Sequence, residues 1–349
     1  MEEALVQLIR NAFENDATDV FLMEDEPPRI RREGEITPLH PGPVPRAALE
    51  EFCRDCGIDP NELHENDLSW QLPDSHRLRV NLYKSLGRIG AVMRPIRSEI
   101  PTLTQLGLPA ELLETWIQRR YGLVLVTGPT GSGKSTTVAA SLDWLNRSFA
   151  RHIVTLEDPI EYLFRSERSH ISQREVRQDT GSFATALRAS LRQSPDIIFI
   201  GEIRDEETAL TALHAAETGH LVVSTMHSSS VVETIERFSQ LVQPGGDHAL
   251  ALMAGQLIGI ITQQLLPRLG GGLIPALEYF QNEAVSRKWI VERRFGDLQD
   301  HLRKSGNPSN CSLLDYLVAS TRQGFLDADV ARSACPRPQD FDRAMRGIT

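Results

Sequence analysis

Leu5, Leu8, Ile9 and Phe13 recur at helical spacing, so residues 2–15 are expected to form an amphipathic helix. Asp19-Val-Phe-Leu-Met reads as a strand that Pro27-Pro28 interrupts, and residues 29–36 turn back at Glu33-Gly34, a hairpin signal. A polar stretch follows with Pro38, Pro41, Pro43 and Pro45; residues 47–57 then read as a helix. Residues 77–83 and 89–94 alternate like half-buried strands. The pattern predicts a small α+β domain over residues 1–97 and a linker over 98–109, inside the proline-bearing stretch 95–109.

From Tyr121 onward the pattern changes. Residues 123–127, 152–156, 197–200 and 221–225 are near-continuous apolar runs separated by helical segments, as a mostly parallel sheet covered on both faces requires. In the helical stretch ended by Ser194-Pro195, Phe183, Leu187 and Leu191 make a buried stripe while Arg188 and Arg192 share another face. Residues 249–266 read as a buried helix, interrupted by Gln256, Thr262, Gln263 and Gln264 and therefore unsuited to span a bilayer. The expectation is an α/β core over 110–280 and a helical region over 281–349.

Composition narrows the function classes. With 37 basic and 47 acidic residues the net charge is −10, which disfavours a general nucleic-acid binder because that affinity comes from cation–phosphate contacts. The only lysines are Lys84, Lys134, Lys288 and Lys304. Four cysteines make no disulfide framework; Cys53 and Cys56 have the C-x-x-C spacing of a metal half-site, but no second half follows and they read as ordinary thiols. A reducing cytoplasm fits this usage, and any membrane association is expected to be peripheral.

Gly128-Pro129-Thr130-Gly131-Ser132-Gly133-Lys134-Ser135 fits G-x-x-x-x-G-K-[ST], with a strand running in and a helix from Thr136 running out. Glycines let successive N–H groups face one point, where the helix also presents its positive end. Lys134 adds a cation for the β- and γ-phosphates, and Ser135 a hydroxyl for Mg²⁺. ATP with Mg²⁺ is the expected ligand.

Three further elements follow. Glu157, Asp158 and Glu161 lie just past a strand end, where open α/β sheets bind ligands. Gly201-Glu202 closes the apolar strand beginning near Asp196, so Glu202 is expected to polarise water or support Mg²⁺, through a water molecule in the latter case. His220 and His227 flank a strand that separates them by roughly 20 Å; His227, on the C-terminal side, is placed to sense a γ-phosphate.

In this order the motifs resemble those of the PilT family of secretion and pilus-retraction ATPases. The likeness is carried by the phosphate loop through Thr136 and Thr137, residues 155–161, Gln173-Arg-Glu-Val176, residues 195–205, Ala215-Ala-Glu-Thr-Gly-His220 and Thr225-Met-His227, and in the N-terminal part by Ala17-Thr-Asp-Val20, Gly34 and Arg79-Val-Asn81. The resemblance implies a hexameric ring of RecA-like domains, each preceded by a PAS-like domain. It implies that Glu202 and Glu161 serve hydrolysis, that His220 and His227 form a histidine pair, and that Arg79 and Arg94 reach nucleotide from the N-terminal domain, with Arg77 and Arg88 as near competitors. It also implies cytoplasmic location at the inner membrane, an inner-membrane platform protein (PilC-like) as partner, and paralogous ATPases beside it. Residues 225–268 hold no Cys, unlike the zinc-bearing assembly branch, which favours retraction and twitching motility. Residues 284–292 match the family's AIRNLIRE helix only loosely, so an accessory PilU-like role or service to another secretion machine stands as the alternative. A RecA-like nucleic-acid motor and a weakly hydrolysing ring subunit are the rivals from other classes.

Overall fold

The computed structural model describes residues 3–15, 17–32, 35–72, 77–96, 99–304 and 307–347. The chain divides into two units: Met1–Ser98 with Pro159–Leu163, and Glu99–Asp158 with Phe164–Thr349. The first contains α1 (Glu3–Glu14), β1 (Asp19–Met23), β2 (Arg29–Arg32), β3 (Glu35–Pro38), α2 (Arg46–Asp55), β4 (Glu65–Gln71), β5 (Arg77–Ser85) and β6 (Arg88–Pro95). Its six strands form one sheet in the order β3-β2-β1-β6-β5-β4, with antiparallel pairing throughout. The expected turn at Glu33-Gly34 lies outside the described residues, although β2 and β3 do pair antiparallel.

Period-two alternation explains which face is buried. Leu78, Val80 and Leu82 of β5 pack with Val20, Leu22 and Met93 against Ile9, Leu49 and Phe52 of the two helices. Arg79 therefore faces the other side, directly opposite Arg94 in the β5–β6 register. β4 is absent from the sequence reading because Glu-Asn-Asp-Leu-Ser-Trp-Gln has little apolar alternation; pairing with β5 at the sheet edge holds it as a strand. Cys53 and Cys56 are free, and burial pushes the Cys56 thiol up to about 12, so the pair supplies no thiolate at neutral pH.

The second unit begins with α3 (Ala110–Ile117), β7 (Gly122–Thr127), α4 (Lys134–Ser148), β8 (His152–Glu157), β9 (His170–Glu175), α5 (Phe183–Ser190), β10 (Ile197–Ile200), α6 (Glu206–Glu217), β11 (Leu221–Met226), α7 (Val231–Leu241) and α8 (Gly246–Gln256). It ends with β12 (Leu257–Pro267), β13 (Leu273–Gln281), α9 (Ala284–Val291), α10 (Phe295–Lys304), α11 (Leu313–Arg322), α12 (Ala328–Ala334) and α13 (Pro338–Met345). The seven strands run β13-β12-β7-β11-β10-β8-β9, all parallel except β13. Leu123 and Leu125 point to the layer of α5 to α8, and Val124 and Val126 to the layer of α3 and α4. Both faces are thus covered, which is why the strands read as continuous apolar runs.

Two expectations are corrected. Residues 249–266 are not one helix: α8 stops at Gln256 and the chain continues as β12, parallel to β7 and antiparallel to β13. The β-branched Ile258, Ile260 and Ile261 favour a strand, and tertiary pairing overrides the apparent helical continuity. The helix carrying Arg188 ends at Ser190, so Arg192 lies beyond it, and Arg188 pairs with Glu207 of α6. No described helix is long and apolar enough to cross a membrane.

Gly259 of β12 lies against the buried ring of Trp116, and a Cβ there would come within 2.5 Å of it. Gly259→Ala is expected to destabilise the second unit by about 1–3 kcal/mol through overpacking. A thermal melt checks this; an unchanged midpoint would mean that Trp116 moves aside freely.

Candidate active site

The loop leaving β7 is shaped by its glycines. Gly128, Gly131 and Gly133 adopt φ of 145°, 77° and 88°. At Gly128 space adds to the constraint, since a Cβ would meet Gln263 O at 2.1 Å and Ser132 Oγ at 2.6 Å. Gly133 is the N-cap of α4, so Lys134, Ser135 and Thr136 occupy its first turn, whose N–H groups lack partners within the helix. The Lys134 ammonium turns back onto the loop, donating to Gly128 O at 3.0 Å and Pro129 O at 2.9 Å. Pro129, Thr130 and Gly131 are exposed at the loop's tip, Ser135 is half-buried, and Ser132 Oγ is buried with no hydrogen-bond partner. A glycine-shaped loop at a helix N-terminus, with a cation and an unsatisfied hydroxyl, is the kind of structure that receives an anion.

Gln263, which the sequence reading treated only as an interruption, fastens this loop from below. Its Nε2 donates to Ser132 O at 2.7 Å and its Oε1 accepts from Thr137 Oγ1 at 2.8 Å, both within the buried interior. A second support is a chain of buried hydroxyls. Ser228 Oγ lies 2.6 Å from Thr234 Oγ1, which donates to Thr127 Oγ1 at 3.2 Å; Thr127 Oγ1 in turn lies 2.7 Å from Thr262 Oγ1. Neither support carried a sequence signal of its own, since both form only when β7, β12 and α7 come together.

Glu202 follows β10, and its turn is pinned on both sides. Gly201 N donates to Leu156 O at 2.7 Å, and Thr225 Oγ1 donates to Gly201 O at 2.6 Å. The carboxylate is mostly shielded; one oxygen pairs with Arg204 and the other lies 3.4 Å from His227 Nε2. Arg204 is thus a neighbour of Glu202 to which the sequence reading gave no role. Burial lowers the His227 pKa below the ordinary histidine value, and Lys134 adds to this against the opposing pull of Glu202, so the imidazole is neutral at pH 7.

The remaining predicted residues scatter. Glu157 is buried at the end of β8, accepting from Thr155 Oγ1 at 2.7 Å and Gln173 Nε2 at 3.2 Å. Glu161 is exposed in the segment Pro159–Leu163 that groups with the first unit. His220 is at the opposite end of β11 from His227, with Nδ1 3.0 Å from Ala215 O at the α6 C-terminus. In the first unit Arg94 is exposed and donates to the buried Asp19 through Nε at 3.0 Å and Nη2 at 2.6 Å, while Arg79 is half-buried beside it.

Residues 66–291 match the family described as type II/IV secretion system protein. The type IV pilus retraction ATPase PilT of Pseudomonas aeruginosa is 36% identical over 97% of this chain and 99% of its own length. The type IV pilus ATPase PilU of the same organism is 34% identical over 86% of this chain and 80% of its own. A crystal structure of the pilus retraction motor PilT with bound ADP superposes with a TM-score of 0.88 at 37% identity, covering 97% of this chain and 98% of that one.

Gln263→Leu removes both loop-fastening hydrogen bonds and is expected to lower ATP affinity by about tenfold, the equivalent of ~1.4 kcal/mol. Calorimetric titration of a variant with unaltered melting behaviour reads this, and wild-type affinity would dismiss the fastening role. In an NMR titration His227 is expected to protonate below the usual histidine range, with Lys134→Ala moving the midpoint upward. A midpoint above that range would mean that Glu202 dominates.

Proposed function

Because this chain belongs to the type II/IV secretion system protein family, we propose that it is an ATP-hydrolysing motor that retracts a type IV pilus. The observation that carries the reading is the glycine-shaped loop and helix start of residues 128–136 in a chain similar along nearly its whole length to a retraction ATPase. The PilU relative covers less of both chains, which makes the accessory role the second reading. A nucleic-acid motor is disfavoured by the net charge of −10.

The chain is an ATPase, converting ATP and water to ADP and phosphate. The loop amides and the first turn of α4 hold the phosphates, and the Lys134 ammonium passes from the loop carbonyls to the β- and γ-phosphate oxygens. Glu202 orients the attacking water and takes its proton as the water oxygen bonds to the γ-phosphorus and the bond to the ADP oxygen breaks. Glu161 is the second acid assigned to this step. His227, neutral and next to Glu202, donates a hydrogen bond toward the γ-phosphate, and His220 braces the far end of the same strand. Arg79 and Arg94, presented together on one sheet face, are the arginines assigned to stabilising charge on the transferring group.

Among the described residues no cluster of three or more His, Cys, Asp or Glu side chains could hold a metal alone. Mg²⁺ is normally held by few protein groups together with phosphate oxygens. Ser135 and Glu202 would hold it, Glu202 through water, and it would supply neutralising charge for the phosphates. The working assembly is a homo-oligomeric ring, read as a hexamer, at the cytoplasmic face of the inner membrane, against a PilC-like platform protein and with paralogous ATPases beside it.

Glu202→Gln is expected to retain ATP binding and lose at least about a hundredfold in hydrolysis; near-normal phosphate release would remove Glu202 from its role. Single-stranded DNA should leave the rate unchanged. Deleting the gene should give hyperpiliated, non-motile cells, whereas bald cells would indicate assembly.

A further inference from the structure

Glu278, on β13, lies outside every motif of the phosphate site, yet its carboxylate joins two helices. One oxygen accepts from Val231 N at 2.6 Å and the other from Leu313 N at 3.4 Å. Val231 and Leu313 are the first residues of α7 and α11. The two helix starts are built alike. Ser230 caps α7 by accepting from Glu233 N at 3.2 Å, and Ser312 caps α11 by accepting from Asp315 N at 3.2 Å. In each, the serine serves the third amide and Glu278 serves the first, so the positive ends of two helices meet at one shared acid. Burial raises the Glu278 pKa, and the two amides and Arg303 oppose that rise.

What the two helices carry gives this joint its meaning. α7 starts four residues after His227, and Ser228 between them belongs to the hydroxyl chain under the phosphate loop. α11 opens the C-terminal cluster in which Leu317, Leu326, Ala331 and Phe341 pack with Ala276 of β13. A cavity of about 250 Å³ lies between the two, bordered by Pro129, Ser229, Gln264, Glu278 and Leu313. The side chain that bridges them thus lines open space, where a shift of the α7 start can be passed on to α11.

The geometry points to Glu278 as a positioning residue that couples the state of the phosphate site to the C-terminal helices α11 to α13, by holding the first amides of α7 and α11 on its two oxygens. This rests on the reading of the site as an ATP site. When a γ-phosphate draws His227 inward, the α7 start moves with it, Glu278 follows its stronger donor, and α11 is displaced through the second oxygen.

The two backbone donors can be deleted singly. Proline is tolerated as the first residue of a helix and has no N–H. Ser230 and Ser312, at ψ of 164° and 153°, already have the extended backbone that a following proline requires. Glu278→Gln is the complementary change, since it replaces one of the two acceptor oxygens by an NH2 donor, which opposes one of the two helix amides.

The test is hydrogen exchange of the full-length assembled protein with ADP and with a non-hydrolysable ATP analogue, in wild type, Glu278→Gln, Val231→Pro and Leu313→Pro. Wild type is expected to show different protection of α11 to α13 in the two nucleotides, and each variant to lose that difference while still binding the analogue. A merely structural role would lower protection equally in both nucleotide states, so a preserved difference in a folded variant overturns the proposal. Should Glu278→Gln fail to fold, Leu313→Pro decides. A wild type that binds the analogue yet shows no difference also overturns it, whereas a wild type that binds no nucleotide refutes the ATP-site reading instead.

Discussion

The close passage of the loop after β7 against β12 is the constraint on which the site depends. At Gly128 the loop passes so close to β12 that no side chain fits, and Gln263 from β12 holds the same loop at Ser132 and Thr137. The strand order makes this possible: β7 lies between β12 and β11, so one neighbour fastens the loop while the other delivers His227 beside Glu202. The buried hydroxyls from Ser228 to Thr262 tie these flanks together beneath the loop. Their polarity suits the interior because each hydroxyl has a partner there.

Charge around Glu202 is balanced by placement. Arg204 takes one carboxylate oxygen, and the second faces a histidine that burial keeps neutral. A protonated imidazole there would add a further cation beside Lys134, Arg204 and Arg237. Neutral His227 leaves the local field to groups that keep their charge across the physiological range. In the first unit the like-charged Arg79 and Arg94 sit directly opposite on adjacent strands, an arrangement that costs stability by itself. The buried Asp19 offsets it by binding Arg94.

The parallel core was legible because strands covered on both faces have no polar alternation to hide them; the runs near 123, 152, 197 and 221 each correspond to a strand. The glycine-rich loop between β7 and α4 was legible because glycine, lysine and serine have a mechanical reason to occur at that spacing. β4 and β9 were missed because their residues are mostly polar and they owe their strand form to one neighbour each. α8 and β12 merged into one apparent helix because both are apolar and adjoin with no turn residue between them. Gln263 and Glu278 were illegible as functional positions, since their roles arise only when distant strands and helices meet.

The seven-stranded sheet has two outermost strands, and the chain treats them differently. β13 is long, pairs with β12 and packs against α11, whereas β9 is a six-residue strand paired with β8. β9 reads His-Ile-Ser-Gln-Arg-Glu, a short, hydrophilic border carrying both signs of charge. Such a border resists addition of a foreign strand, the usual route from an open sheet edge to aggregation. The sheet can therefore end at this strand without offering a ready template for runaway strand exchange.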